Sequence, residues 1–302
     1  MSRLAALNPA LSKIQIGTAP LLIIGEGRSG TTWIGETFSQ APQVLYYVEP
    51  CNPDNNSQGS PTDWTRYVHP SGSDAYYERY LTAAFEGLIS PGQTWSRQKF
   101  WRRLRPSYRI VIKEIATFMS LEWVYQRFNP SVLVVLRHPC GVALSNRDRN
   151  AHREEQQRLR LLRKNSELVD THLAPYLSTI EKAQTPLEVS SAIWAIRNKV
   201  FANTYNQYPW QMLYYEDLCQ RPQETFRSLF DKFELPWNQS IEQFIDYKTN
   251  RVEPGTFSTG RITHRQIDKW KRRLTPAEID QVRRIVAPFE LPFYQSEVSW
   301  CL

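Results

Sequence analysis

Between the apolar run PLLIIG (20–25) and the helically spaced Trp33, Ile34 and Phe38 stands a loop able to do chemistry, Gly25-Glu26-Gly27-Arg28-Ser29-Gly30-Thr31-Thr32. A strand, a glycine-bearing turn and a helix start put backbone N–H groups and the positive end of the helix dipole where a phosphate can sit. Thr31 occupies the position at which a triphosphate-binding loop carries its lysine. Such a loop needs that lysine on the β- and γ-phosphates, and a carboxylate elsewhere for Mg²⁺. The cation here lies inside the loop, at Arg28, which suits a nucleotide with one 5′-phosphate carrying a further anionic group, with no metal required. Arg137 at the end of VLVVL (132–136), with Ser145 eight residues on, forms a second pair able to converge on another phosphate. Glu49 follows VLYYV (44–48), and Lys113-Glu114 ends RIVIKE. Both glutamates are candidate bases at the carboxyl edge where open α/β sheets bind ligands.

These residues need strands to hold them. Runs at 20–25, 44–48, 109–112, 132–136 and 211–215 read as buried strands, alternating with helical segments. That grammar predicts an α/β fold, a parallel sheet flanked by helices. Residues 51–105, turn-rich and then aromatic (Trp64, Tyr67, Tyr76, Tyr77, Tyr80, Phe85, Trp95, Phe100, Trp101), read as an insertion after the second strand. Helices are expected across 140–205 and at TPAEIDQVRRIV, where Thr275 and Glu278 have the spacing of a capping box. No repeat or linker interrupts the chain, so a single domain over 1–302 is expected.

Composition narrows the function. The 302 residues are 41 % hydrophobic and 22 % charged, enough for a large core. The net charge of +7 favours anionic partners. The four cysteines, Cys51, Cys140, Cys219 and Cys301, have neither C-x-x-C nor metal spacing, which argues against a zinc site or a disulfide framework. With no apolar run of about 18 residues and no signal-peptide pattern, the chain reads as cytoplasmic, without a membrane span. Basic runs at 97–109, 137–164 and 261–273 keep a nucleic-acid-binding protein as an alternative, and the loop keeps a nucleotide kinase or NTPase. The first leaves the strand–loop–helix motif unexplained, and Thr31 counts against the second.

Taken together, the motifs resemble a family. RSGTTW (28–33) is similar to the 5′-phosphosulfate loop of sulfotransferases, and LRHPCGVALSNRDR (136–149) to their 3′-phosphate motif, with Arg137 and Ser145 at matching positions. YYEDLCQRPQETFRSLFDKFELP (214–236) and DKWKRRLTPAEIDQVRRI (268–285) resemble further family segments. The resemblance implies a P-loop-type parallel sheet and the donor 3′-phosphoadenosine 5′-phosphosulfate (PAPS), with PAP as product. Arg28 stands where cytosolic members carry lysine, as in carbohydrate-type and many bacterial members. Lys113-Glu114-Ile115 replaces the Lys-Thr-His that supplies the cytosolic members' histidine base.

On this reading Glu49 is the first choice of general base and Glu114 the second, each with ion pairing as the alternative role. Arg28 and Lys113 stabilise the bridging and sulfuryl oxygens. Ser29, Gly30, Thr31 and Thr32 bind the 5′-phosphate, Arg137 and Ser145 the 3′-phosphate, and Arg261 closes on it. Trp33 is assigned either to the adenine or to the core. The acceptor, a glycan or small metabolite, is expected among the aromatics of 61–101 with Arg147 and Arg149, with the core of the insertion as the alternative role of each ring. Glu216 and Asp217 are expected to serve the fold, and the five histidines neither metal nor triad.

Overall fold

All five apolar runs lie side by side as parallel strands in the computed structural model, which describes residues 15–16, 19–42, 44–55, 64–88, 107–251, 263–296 and 300. A two-residue strand, β1 (Gln15–Ile16), too short for a sequence pattern to mark, precedes them. The others are β2 (Leu21–Gly25), β3 (Val44–Val48), β4 (Ser107–Glu114), β5 (Ser131–Leu136) and β6 (Gln211–Tyr214). β4 pairs with β1, β2 and β3, while β5 pairs with β2 and β6. The register sets Val48 opposite Lys113, Ile24 opposite Glu114 and Gly25 opposite Val135. Glu26, Glu49, Lys113, Glu114 and Arg137 therefore all emerge at one edge of the sheet, because parallel pairing points every carboxyl end the same way.

Alternation along the strands fills both faces. Leu21, Ile23, Val111, Leu133 and Val135 face one cluster with Trp33, Phe38, Phe226 and Phe230. Leu22, Ile24, Ile110, Ile112, Val132 and Val134 face the other. Gly25 is a glycine for a local reason: a Cβ there would stand 2.3 Å from the Val135 carbonyl oxygen. Helix α1 (Thr31–Phe38) follows the loop. α2 (Ala75–Phe85), capped by Asp74 accepting from the Tyr77 N–H, lies within the expected insertion. α3 (Leu121–Phe128), α4 (Pro139–Asp148) and α5 (His152–Lys164) precede α6 (Pro186–Ala202), which starts on a Thr185/Glu188 capping box and is buried on most sides. The expected Thr275/Glu278 box opens the helix Pro276–Val286.

For several rings of the insertion the structure supports the core role: Tyr77 is fully buried and donates to the Ala116 carbonyl at 2.9 Å, and Phe85 stacks on Phe128 at 4.8 Å, while Trp64, Tyr76 and Tyr80 are half-buried. Trp95, Phe100 and Trp101 lie outside the described residues. Tyr67 is joined to the helical layer through His172, whose Nε2 is 2.9 Å from the Tyr67 hydroxyl and whose Nδ1 is 2.8 Å from Asn203 Nδ2.

Burial, assisted by His69 and Lys199, lowers the His172 pKa to about 4, against an ordinary value of 6.5. The fold thus favours the neutral ring. Its contribution to stability is complete above pH 6.5 and declines as the pH falls from 6.5 toward 4, because the unfolded chain takes the proton first. Chemical denaturation should accordingly show a smaller loss of stability between pH 6.5 and 4 in His172→Gln than in the parent protein. An unchanged acid slope would place the titration elsewhere.

Candidate active site

The loop after β2 turns through two left-handed residues, Arg28 at φ 71° and Gly30 at φ 89°. A Cβ on Gly30 would also lie 2.5 Å from the Tyr215 ring, so the residue is a glycine on two counts. The first helical bond runs from the Ile34 N–H to the Gly30 carbonyl at 3.2 Å. The N–H groups of Gly30, Thr31, Thr32 and Trp33 have no acceptor among the described residues, and no side chain caps the helix. Ser29 Oγ is buried and likewise without a partner there. Open N–H groups, a helix dipole and an unused hydroxyl at one point fit an anion such as a phosphate.

The second pair meets the first. Arg137 Nη1 donates to the Arg28 carbonyl at 2.6 Å, and Arg28 Nε donates to Ser145 Oγ at 3.0 Å. Residues 109 and 117 positions apart in sequence are thus brought to one spot. Arg137 is aimed by its surroundings: its guanidinium lies over the Tyr215 ring at 4.4 Å, and its carbonyl accepts from Trp194 Nε1 at 3.1 Å. A Cβ on Gly141 would stand 3.0 Å from Arg137 Nε, so a larger residue there would press on the present guanidinium placement.

At the β3–β4 side, Lys113 Nζ bonds Glu49 Oε1. Their side chains are 4 % and 15 % exposed, so the carboxylate is the more accessible of the two. Glu49 sits at φ 48°, donates its N–H to the Lys113 carbonyl at 2.6 Å, and accepts from Asn52 Nδ2 through Oε2 at 2.7 Å. Glu114 is occupied differently. It is fully buried and accepts three backbone N–H groups, from Cys51 at 2.8 Å, Ile115 at 2.8 Å and Ala116 at 2.9 Å. Burial raises its pKa, as does the nearby Glu49 charge, while the three N–H bonds oppose the rise. Of the two roles sequence left open for Glu114, the bonds support the structural one. Its partners, however, are backbone groups rather than Lys113.

Two residues of this edge escaped sequence reading. Glu26 is 8 % exposed, and its Oε1 accepts from the Gly27 N–H at 3.1 Å and from Arg197 Nη1 at 2.9 Å. Arg197 Nη2 continues to the Ile115 carbonyl. A signal existed in each case: a carboxylate inside a loop suited to anions, and an arginine within the apolar stretch AIWAIRNKVFA of α6. Nearby, Arg158 lies over the Trp64 ring at 5.0 Å, and buried Glu155, its pKa raised to about 7 chiefly by burial, accepts from Asn146 at 2.7 Å.

Remaining expectations fall as follows. Trp33 is buried and meets Phe226 edge-on at 5.2 Å, which supports its core role over an adenine shelf. Arg147 is paired with Glu278 at 2.7 Å, and Arg149 lies 3.8 Å from Glu154. Glu216 accepts from the His138 N–H at 3.0 Å and the Tyr294 hydroxyl at 2.7 Å, the structural service expected of it. Arg261 lies outside the described residues. Among the described residues no group of three or more His, Cys, Asp or Glu is placed to hold a metal ion.

Comparison with known proteins agrees with this geometry. The profile of the Sulfotransferase family matches residues 20–239, more than two thirds of the chain, and the protein belongs to that family. In structure the chain resembles the sulfotransferase domain from the curacin biosynthetic pathway, with 18 % identity and a TM-score of 0.51 over 90 % of this chain and 98 % of that one. A mouse sulfotransferase complexed with PAP matches at 12 % identity and TM-score 0.46, over 100 % of this chain and 94 % of that one. A sulfotransferase from Alicyclobacillus acidocaldarius matches at 13 % and 0.42, over 94 % and 98 %. No curated protein matches the sequence.

Glu114→Gln places an amide N–H₂ against at least one of the three donors now bonded to the carboxylate. Leaving a buried N–H unsatisfied costs about 1–3 kcal/mol. Urea denaturation should register a loss of that order, and wild-type stability in the variant would show that the three bonds are dispensable.

Proposed function

We propose that this sulfotransferase takes the sulfuryl group from PAPS and passes it to a hydroxyl or amine of a glycan or small metabolite. One observation carries the reading: Arg28, Arg137 and Ser145 converge on the open N-terminus of α1. This is an arrangement for two phosphate positions on one nucleotide, with guanidinium groups where a triphosphate site has lysine and metal. The donor supplies a mixed anhydride whose bridging S–O bond breaks as a bond from sulfur to the acceptor forms.

The protein's residues then divide the work. Gly30, Thr31 and Thr32 bind the 5′-phosphate through their N–H groups, helped by the Ser29 hydroxyl. Arg137 and Ser145 hold the 3′-phosphate, with Arg261 as the proposed closing residue. Arg28, standing between the two positions, offsets the charge that grows on the leaving phosphate oxygen. Glu49 takes the acceptor's proton through its partly exposed carboxylate, while Lys113 and Asn52 fix the orientation of that group. Lys113 is also proposed as a cation for the sulfuryl oxygens. We place this activity in the cytoplasm on the sequence reading. Among the described residues no helix is long and apolar enough to cross a membrane.

PAP should raise the melting temperature without added metal, corresponding to about 2.7 kcal/mol at a hundredfold excess over Kd. A shift with Mg²⁺-ATP and none with PAP would instead support the kinase or NTPase alternative. Arg137→Ala and Ser145→Ala should weaken PAPS binding more than binding of adenosine 5′-phosphosulfate, which lacks the 3′-phosphate. Equal losses for both ligands would remove these residues from that phosphate.

Glu49→Gln should lower kcat on the order of 10²- to 10⁴-fold in a labelled-PAPS assay over an acceptor panel. PAP affinity should change little, since the carboxylate stands on the β3–β4 side, away from the phosphate loop. If thermal stability or PAP binding falls instead and turnover persists, Glu49 serves Lys113 rather than the acceptor.

A further inference from the structure

Glu26 is a carboxylate inside a loop whose other groups favour anions, so its presence there needs a physical reason. Stability does not provide one. Glu26 Oε2 and Arg197 Nε are buried without a hydrogen-bond partner among the described residues, and burial raises the Glu26 pKa despite the guanidinium beside it. Buried pairs of this kind often do no better than packed apolar side chains of similar volume.

Geometry accounts for it. One terminal nitrogen of Arg197 holds Glu26, in the loop after β2, and the other holds the Ile115 carbonyl, two residues beyond Lys113 on the way out of β4. The groups suited to the donor's phosphates lie on the β2 side of this strap, and Glu49 with Lys113 on the β3–β4 side. In-line transfer needs these two sides in register, and a misplacement of about 1 Å costs on the order of 10²-fold in rate.

We infer that Glu26 is a positioning residue which, through Arg197, holds the phosphate loop in register with the end of β4 that carries Lys113. The inference rests on the donor reading above and adds a residue to it. PAP binding is separable from this role, because Gly30, Thr31, Thr32, Arg137 and Ser145 make no side-chain bond to Glu26 or Arg197 among the described residues.

The test compares the full chain with Glu26→Gln, Glu26→Asp and the double variant Glu26→Leu with Arg197→Met. Melting temperature, PAP affinity and the kcat and KM of PAPS conversion to PAP without added acceptor are measured. In that reaction the bridging S–O bond breaks with its electron pair staying on the 5′-phosphate oxygen, a water oxygen bonds sulfur to give sulfate, and both water protons pass to solvent. Glutamine preserves an acceptor at Oε1 and should keep kcat within about threefold, whereas aspartate, one methylene short, and the apolar pair should each lose at least about tenfold. KM and PAP affinity should stay near wild type in all three, and melting temperature in the apolar pair, whereas glutamine, which leaves the buried Arg197 charge without its counter-charge, should lower the melting temperature while keeping the rate.

Losses of rate that track losses of melting temperature or PAP affinity overturn the inference, as does an apolar pair that turns over at the wild-type rate. A dead Gln variant beside an active Asp variant also overturns it, since that ranking belongs to a proton acceptor. A wild-type protein that leaves PAP unbound refutes the donor reading itself, and that result is visible before any variant is made.

Discussion

The end of β4 is the point on which the site depends. Three successive residues there each hold a different neighbour. Lys113 bonds Glu49 beyond β3, Glu114 gathers the Cys51, Ile115 and Ala116 N–H groups, and the Ile115 carbonyl takes the Arg197 guanidinium that reaches back to Glu26 beyond β2. Because β4 lies between β2 and β3, and all three are parallel, their loops open at the same edge and can be joined by single side chains.

Three glutamates at that edge show how environment separates identical side chains. Glu114 is fully buried and occupied by three backbone N–H groups. Glu26 is held by a guanidinium in the interior, with burial as the larger influence on its proton. Glu49 is bonded to an amine yet keeps part of its surface. That separation follows the general rule that a carboxylate's chemistry is set by desolvation, nearby charge and hydrogen bonds rather than by its type.

Cation placement follows a related economy. The chain carries a formal charge of +7, but Arg147 and Arg163, on α4 and α5, are paired with Glu278 and Glu181. Arg137 is instead stacked on Tyr215 and bonded to a carbonyl, contacts that orient a guanidinium without cancelling its charge. A phosphate-binding site needs that kind of arginine.

Sequence alone determined the five strands and the strand–loop–helix grammar, and marked Arg28, Arg137, Ser145, Glu49 and Lys113 as candidates, because each rests on local pattern: apolar runs, glycines at turns, polar residues at strand ends. The Thr275/Glu278 cap was legible for the same reason. Tertiary structure alone decided which of these residues meet. Nothing local places Arg28 on Ser145, sends the Trp33 ring into the core against Phe226, or packs Tyr77 and Phe85 inward, since a periodic aromatic run looks alike whether it lines a core or a cleft. The Glu26–Arg197 pair is the extreme case. Its partners are 171 residues apart, and only the parallel pairing of β2 with β4, with α6 packed nearby, brings a loop carboxylate and a buried helix arginine within 2.9 Å.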